Sequence, residues 1–135
     1  MRLPDTDDSL VIRTDFSDDA AWDALCAEMR APVDDFQANL AFVSDPALDG
    51  VRVVQLLGLL PKGLAKSFLF VVDSTALHDP EHPVLVVDLF EERGRTFRAI
   101  PSESWSVENN LALANMDFHE FAESADANGV YRGFS

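Results

Sequence analysis

The chain is short of cysteine, of basic residues and of long apolar runs, and each shortage excludes a class of protein. Its one cysteine, Cys26, cannot form an intramolecular disulfide, which fits a reducing compartment. No apolar run approaches the roughly 20 residues that a helix needs to cross a bilayer. Residues 1–5 lack the basic-then-apolar pattern of a secretory signal. We therefore expect a soluble, cytoplasmic protein.

Basic residues are outnumbered, with 10 Lys and Arg against 24 Asp and Glu and a formal net charge of −14. Nucleic acids and anionic membrane surfaces are bound by basic surfaces, so the charge predicts neither kind of partner. A basic protein partner fits this charge. The simpler explanation, that acidity keeps the protein in solution, fits it equally well.

What the chain does have is a core: 47% of its 135 residues are hydrophobic, ten of them phenylalanine. No repeat, low-complexity run or linker divides it. We therefore predict a loose N-terminal tail over residues 1–8 and a single domain over residues 9–135.

The apolar spacing predicts an alternation of strands and helices. Ser17 is typical of a helix N-cap, and the helix after it would bury Trp22, Leu25, Cys26 and Met29. The near-continuous apolar runs Ser67–Asp73 and Val84–Phe90 indicate strands covered on both faces in the middle of a sheet. The other predicted elements are strands at Ser9–Asp15 and Asn39–Val43, a short helix in Val51–Leu60, a helix at Phe118–Ala125 and an edge segment at Gly129–Phe134.

The predicted order is β-α-β-α-β-β-β-(β)-α. It indicates an α+β domain with a central mixed sheet that ends in an antiparallel meander, with helices packed on it. A three-residue loop, Glu92–Gly94, would set the last hairpin with Asp88 opposite Arg98 and Leu89 opposite Phe97.

Residues 106–116 fit two structures. As a helix they present Val107 and Leu111 on one apolar stripe, and as a strand they present Leu111 and Leu113 on one face. Asp117 and Glu120 form a capping-box pattern that starts a new helix. The pattern therefore favours a short strand near Leu111–Ala114.

The strongest candidate site residues lie in the last third of the chain, where polar side chains interrupt an apolar pattern. Asparagine recognises amides and backbone, and tryptophan is a common interface anchor. The alternative is local, because Asn and Asp also stabilise turns through their own backbone. The predicted binding residues are Glu103, Trp105, Glu108, Asn109, Asn110 and Asn115.

Other polar residues favour structural roles. His78 and His82 are metal-ligand types, but their proline-stiffened loop indicates a solvated connection, and we predict no metal and no cofactor. Asp15, Asp73 and Asp88 end predicted strands, and antiparallel pairing would put Asp73 and Asp88 at opposite ends. His119 would be an exposed helix residue. No nucleophile elbow, zinc cluster or phosphate-binding glycine loop is present, so no catalytic residue is assigned and an enzyme is unsupported.

Four segments resemble a family of small acidic actinobacterial proteins that is known as a domain of unknown function. The resemblance implies a bacterial, cytoplasmic, single-domain protein and brings no activity or site residue. The segments are Ser9–Phe16, Asp79–Asp88, Gly94–Pro101 and Trp105–Phe118.

A second resemblance is confined to the C-terminal part. The two strands from Val84 onward and the motif Asn115–Phe121 are similar to the SMI1/KNR4-like superfamily, many of whose members are immunity proteins against toxins. The β-α start of the chain does not fit that superfamily.

These observations predict a small acidic domain that binds a protein partner in an immunity-like or regulatory role. The alternative is an enzyme or small-ligand-binding domain with a polar pocket around Glu103, Trp105, Glu108 and Asn110, joined by His119.

Overall fold

Six strands form one mixed sheet in the computed structural model, which describes residues 3–134. Met1, Arg2 and Ser135, at the ends of the predicted tail and domain, lie outside the described residues. The strands are β1 (Ser9–Arg13), β2 (Leu40–Val43), β3 (Phe68–Val72), β4 (Val84–Asp88), β5 (Thr96–Ala99) and β6 (Val130–Tyr131).

The strand order is β2-β1-β3-β4-β5-β6. β1 lies parallel to both β2 and β3, β3-β4-β5 form an antiparallel meander, and β6 is parallel to β5 at the edge. The predicted α+β class, with a mixed sheet and a meander, is confirmed.

In the described part of the chain, five helices pack on the sheet. They are α1 (Asp19–Arg30), α2 (Val53–Leu59), α3 (Ser74–His78), α4 (Ser104–Ala112) and α5 (Phe118–Glu123), with 3-10 turns at Pro46–Leu48 and Pro101–Glu103. Within residues 3–134, no helix combines the length and the apolar character needed to cross a membrane.

The centre of the sheet is β3 and β4, and every residue of both strands is buried. This confirms the two-sided burial predicted from their apolar runs. Because side chains alternate along a strand, the two faces carry different cores. One face, the aromatic face, is covered by α1, α3, α4 and α5 and holds Trp22, Phe68, Phe70, Phe97, Phe118, Phe121 and Tyr131. The other, the aliphatic face, is covered by α2 and holds Leu10, Ile12, Val43, Leu56, Leu69, Val71 and Val87.

The connections around β1 run in opposite directions. The chain crosses from β1 to β2 through α1 on the aromatic face, then returns past β1 to β3 through α2 on the aliphatic face. Right-handed crossovers in opposite directions place their helices on opposite faces. The segment after β1 therefore leads to the aromatic face and the segment after β2 leads to the aliphatic face, so that the two connections diverge at the carboxyl edge of the sheet around β1, where a crevice is expected.

The helix at the N-terminus begins one residue later than predicted. Asp18 is the N-cap, and its carboxylate accepts from the Ala21 amide at 3.0 Å. The predicted core residues Trp22, Leu25, Cys26 and Met29 are buried. Burial also raises the pKa of the Cys26 thiol to about 12, as expected for an inert core cysteine.

The β4–β5 hairpin register was predicted wrongly. Leu85, and not Asp88, lies opposite Arg98, and Val86 lies opposite Phe97. The loop is longer than three residues because the buried Asp88 carboxylate accepts from the amides of residues 90, 91 and 92 and turns the chain away from the ladder. Asp73 and Asp88 do lie at opposite ends of β3 and β4.

The short strand predicted near Leu111–Ala114 is wrong, because residues 104–112 form α4. Val107 and Leu111, one helical turn apart, are both buried, whereas Leu113 is 70% exposed. A strand would have placed Leu113 on the same face as Leu111. Ala114 then takes a left-handed conformation (φ 55°), and α5 begins four residues later.

Candidate functional site

A cleft of about 810 Å³ opens above the carboxyl ends of β1 and β3 on the aliphatic face; we name it the β1–β3 cleft. Leu56, Val71 and Leu85 give it an apolar floor. Its rim is formed by residues 14–17 after β1, 49–54 before and within α2, 73–75 after β3, and Gly94, Thr96 and Arg98 of the β4–β5 hairpin.

Arg98 crosses β4 to reach the end of β3. Its Nη1 and Nη2 donate to the two carboxylate oxygens of Asp73 at 3.0 and 2.7 Å, and Nη1 also donates to the Pro83 carbonyl at 3.0 Å. Asp73 in turn accepts from the Ala76 amide at 3.0 Å and caps α3. The predicted partner of Arg98 was Asp88, so this pairing corrects it.

A guanidinium carries five N–H groups, and three of those on Arg98 are used by Asp73 and Pro83. Nε–H and the second Nη2 proton have no partner among residues 3–134. These two groups form one edge of the planar guanidinium, in a side chain that is only 22% exposed. Arg98 therefore keeps a donor edge for a further acceptor.

At another part of the rim, Asp15 and Ser17 contact His78, which is not itself a lining residue of the cleft. The Ser17 hydroxyl donates to Asp15 Oδ1 at 2.6 Å, and His78 Nε2 lies 3.1 Å from Ser17 Oγ and 3.4 Å from Asp15 Oδ2. The hydrogen bond from the Ser17 hydroxyl, followed by that from its amide, lowers the pKa of Asp15 below its usual value despite partial burial.

This cluster does not have the geometry of a catalytic triad. In a triad the imidazole lies between serine and carboxylate and uses a different nitrogen for each. Here the Asp15 carboxylate accepts the serine proton directly, and only Nε2 of His78 faces the pair. The arrangement fixes the loop after β1 and does not activate the Ser17 hydroxyl as a nucleophile.

Arg13, at the end of β1, fixes the loop of residues 14–17 through hydrogen bonds. Its side chain is 5% exposed, its Nε donates to the Asp15 carbonyl at 3.0 Å, and Nη2 pairs with Asp19 at 2.6 Å. The guanidinium also lies 4.3 Å from the ring centroid of Phe16. The rim at residues 14–17 is thus tied to both β1 and α1.

Almost the whole chain matches the model of one protein family. The family described as "Domain of unknown function (DUF6924)" matches residues 8–134. The chain belongs to that family. The match confirms the predicted membership of an uncharacterised family. No curated protein matches the chain.

The six predicted site residues lie on or beside α4, on the aromatic face and away from the β1–β3 cleft. Glu108 is buried and accepts from the Ser9 hydroxyl and the Asn39 amide, both at 2.8 Å. Asn109 donates to the Gln37 carbonyl, and Asn110 donates to the Ser106 carbonyl one turn earlier in α4. The side chains of these three residues thus form hydrogen bonds within the protein, to backbone groups and to Ser9 of β1.

The other three predicted residues are placed separately. The Trp105 ring stacks on Phe36 with centroids 4.7 Å apart, and its Nε1 is buried without a partner in the described part of the chain. Burial raises the pKa of Glu103 above its usual value. Asn115 is exposed after α4. That these six residues bind a partner stays a prediction.

The remaining polar candidates do not converge either. His82 Nδ1 lies 3.0 Å from the Ala76 carbonyl, while His78 faces Asp15, so the two imidazoles have different neighbours. At the surface, ligand atoms of Glu91, Asp117 and His119 lie within 4.8 Å of one another. Exposed groups of acidic residues and histidine like this one are common in proteins without a bound ion, and we assign no metal to these three residues.

Sequence reasoning singled out Asp15 and Asp73 but missed the cleft between them. Both follow strands whose carboxyl ends lie at the same edge of the sheet. The signal that could have found the cleft is the β-α-β-α-β order itself, because right-handed crossovers on both sides of β1 predict it.

Proposed function

We propose that this domain binds a small ligand in the β1–β3 cleft. The observation that carries the proposal is convergence: Asp15 from the end of β1, Asp73 from the end of β3 and Arg98 from β5 all line the cleft. In open sheets with crossovers, ligands bind outside the carboxyl ends of strands where the connections diverge. This belongs to the ligand-binding class that the sequence left as its alternative, at a different place in the fold.

The composition of the cleft supports a ligand with both polar and apolar parts. Ligand sites are typically concavities of about 300–1,000 Å³ with apolar walls and a few placed polar groups. The β1–β3 cleft, at about 810 Å³, has an aliphatic floor and a rim of hydroxyls, carboxylates and guanidiniums. The rim is held by Arg13 and by the Arg98–Asp73 pair, so little ordering is left for binding.

The test is a fragment screen by ¹⁵N-HSQC NMR on the whole chain, using several hundred soluble compounds as probes. We expect hits to shift amides of residues 14–17, 49–54 and 73–75. Thr96→Trp, at an exposed position on the rim, should block these hits by filling the cleft. Asn128→Trp, at an exposed position outside the cleft, should leave them unchanged. Hits that shift other residues only, or that survive Thr96→Trp, would refute the proposal.

A second candidate is the acidic protein-binding role, in an immunity-like or regulatory form. It is supported by the net charge of −14 and by large apolar side chains on the surface, including Phe90 (77% exposed) and Leu113 (70% exposed). The resemblance of the segment around Asn115–Phe121 to the SMI1/KNR4-like superfamily points the same way. Under this candidate the partner is basic, and charge steers its association more than it adds affinity.

Affinity capture from native lysate at low and at physiological salt tests the second candidate. A stoichiometric partner that is lost on Leu113→Asp but kept on Val54→Asp would support it, since Val54 is 81% exposed and lies on α2, on the other face of the sheet. Recovery of no stoichiometric partner at either salt concentration would count against it. With either candidate we propose a bacterial cytoplasmic setting of actinobacterial origin, supported by the resemblance and by the buried, unpaired Cys26.

A further inference from the structure

We propose that the ligand of the β1–β3 cleft carries a carboxylate, which the Nε–Nη2 edge of Arg98 binds, while the apolar floor accommodates the ligand's hydrocarbon part. The inference rests on the proposed function and names the chemistry of its ligand.

The direction of the free edge is set by the bonds that Arg98 already makes. Nη1 donates toward Pro83, which precedes β4 at the rim of the sheet, and Asp73 occupies the end of the guanidinium. The Nε–Nη2 edge lies on the side opposite Nη1, and its two N–H groups make no bond to Asp73 or Pro83. Arg98 lines the cleft together with Leu85 and Val71, and we infer that this unused edge is the one it presents to the cleft.

Asp73 fixes the position of Arg98 and does not occupy the donors of the Nε–Nη2 edge. The carboxylate engages one pair of donors end-on and fixes the plane of the guanidinium through two bonds. Asp73 is itself fixed because it caps α3. A guanidinium stays protonated under all ordinary conditions and binds carboxylates in a two-bond fork, so the remaining pair of donors is ready for a second carboxylate.

The surroundings favour a monocarboxylate over a phosphate. The floor of the cleft is aliphatic, which suits a hydrocarbon chain and offers nothing to the oxygens of a phosphate. The whole molecule carries −14, and its field repels a dianion about twice as strongly as a monoanion at the same place. Arg52, also on the rim and exposed, adds a second positive charge that has no ion-pair partner among residues 3–134. Asp15 and Asp49 line the same rim, so the local charge also disfavours a dianion more than a monoanion.

The experiment compares four probes on the ¹⁵N-labelled full chain: hexanoate, hexanol, hexylammonium and inorganic phosphate. We expect hexanoate to shift the amides of Asp73–Thr75 and Gly94–Arg98 together with the side-chain Nε–H signal of Arg98. Hexanol should bind the same amides at least about tenfold more weakly and leave the Nε–H signal in place, because a charge-assisted fork contributes more than 1.4 kcal/mol.

Arg98→Lys keeps the charge and removes the fork, and should weaken hexanoate binding at least about tenfold without changing hexanol binding. The matched control is Arg132→Lys. Arg132, like Arg98, is fixed by ion pairing, in this case to the carboxylates of Glu81 and Asp126, but it lies outside the cleft. This variant should bind hexanoate within about twofold of the unchanged chain. If Arg98→Lys fails to fold, the Arg98 Nε–H shift in the unchanged chain decides the matter.

The outcomes separate the inference from the proposed function. Binding of hexanol, hexylammonium or phosphate in the cleft at least as strongly as hexanoate would overturn the carboxylate inference and leave a ligand cleft standing. Absence of any cleft shift with hexanoate at tens of millimolar would also overturn it, whatever the fragment screen finds. A fragment screen in which every hit lies outside the cleft would refute both the proposed function and the carboxylate inference.

Discussion

At the scale of single residues, the buried glutamate of α4 connects two segments that are distant in sequence. Glu108 is 3% exposed and joins β1, through the Ser9 hydroxyl, to the segment before β2, through the Asn39 amide. Removing one partner of a buried hydrogen bond costs more than the bond contributes, because the other partner is left unsatisfied.

Glu108→Ala should therefore lower the free energy of unfolding by about 2–4 kcal/mol, since three donors, on Ser9, Asn39 and Asn109, lose their acceptor and a small void forms. Urea denaturation followed by circular dichroism measures it. Asn110→Ala is the control, because its side chain bonds only within its own helix, and it should cost less than about 1 kcal/mol. Equal losses for the two variants would contradict the tie between α4 and β1.

Glu103 gives a pH dependence whose sign follows from its burial. Burial raises the pKa of its carboxyl above the usual 4.5, so the ionised form costs stability in the folded chain at neutral pH. Glu103→Gln should stabilise the protein at pH 7, and the gain should vanish as the pH falls below about 4.5, where the carboxyl is protonated in both states.

Thermal melts of Glu103→Gln at pH 7 and at pH 4 measure this effect. Glu123→Gln removes the same charge at an exposed position and controls for the general relief of repulsion. A gain for Glu103→Gln that is no larger than that of the control at pH 7 would contradict the prediction.

At the scale of elements, the segment between α1 and β2 covers the start of α4. Val33 and Phe36 form a β-bridge, and the ring of Phe36 lies 4.7 Å from that of Trp105 at an interplanar angle of 19°. Phe36 itself is 51% exposed, so it acts as a cover over the indole and not as a core residue.

Phe36→Ala should uncover the indole, shift the emission of Trp105 to longer wavelength and lower the free energy of unfolding by about 0.5–1.5 kcal/mol, the usual contribution of an aromatic pair. Fluorescence in a Trp22→Phe background measures the shift without the second tryptophan. Phe90→Ala, at a 77% exposed phenylalanine, should leave the emission unchanged. An unchanged spectrum in Phe36→Ala would show that the stack does not persist in solution.

Elements whose apolar pattern decides their structure were predictable, and elements decided by one polar contact were not. The runs of β3 and β4 and the apolar stripe of α1 were read correctly because burial on both faces or on one stripe leaves a direct pattern. The hairpin register failed because the Asp88 carboxylate, which binds three amides, lengthens the loop. α4 was misread because five of its nine residues are asparagine, serine or glutamate, types that serve turns as well as helices.

The candidate site was less accessible from sequence than the fold. Asp73 and Arg98 are 25 residues apart, and their pairing depends on the β4–β5 register, which the local pattern gives incorrectly. The cleft exists because strands distant in sequence are adjacent in the sheet. The local sequence pattern indicates which residues form strands and helices. Which strands become neighbours in the sheet depends on the tertiary topology, which the local pattern does not contain.

At the scale of the whole molecule, the net charge of −14 opposes folding through self-repulsion. At pH 7 the melting temperature should rise by several degrees between about 10 mM and 500 mM NaCl, because screening relieves this repulsion more than it weakens exposed ion pairs. The same series at pH 4.3, near the sequence isoelectric point, should show little or no rise and serves as the control. A melting temperature that falls with salt at pH 7 would show that local ion pairs outweigh the net charge.

The division between an aromatic and an aliphatic face determines which signals the protein can report. Trp22 and Tyr131 lie on the aromatic side of the sheet, and Trp105 belongs to α4, which covers that side. The cleft is on the other side, with Phe16 as the one ring among its lining residues. Binding of a ligand in the cleft should therefore change the intrinsic fluorescence and the near-ultraviolet circular dichroism very little. Methyl resonances of the valines and leucines beneath the cleft are where such an event would register.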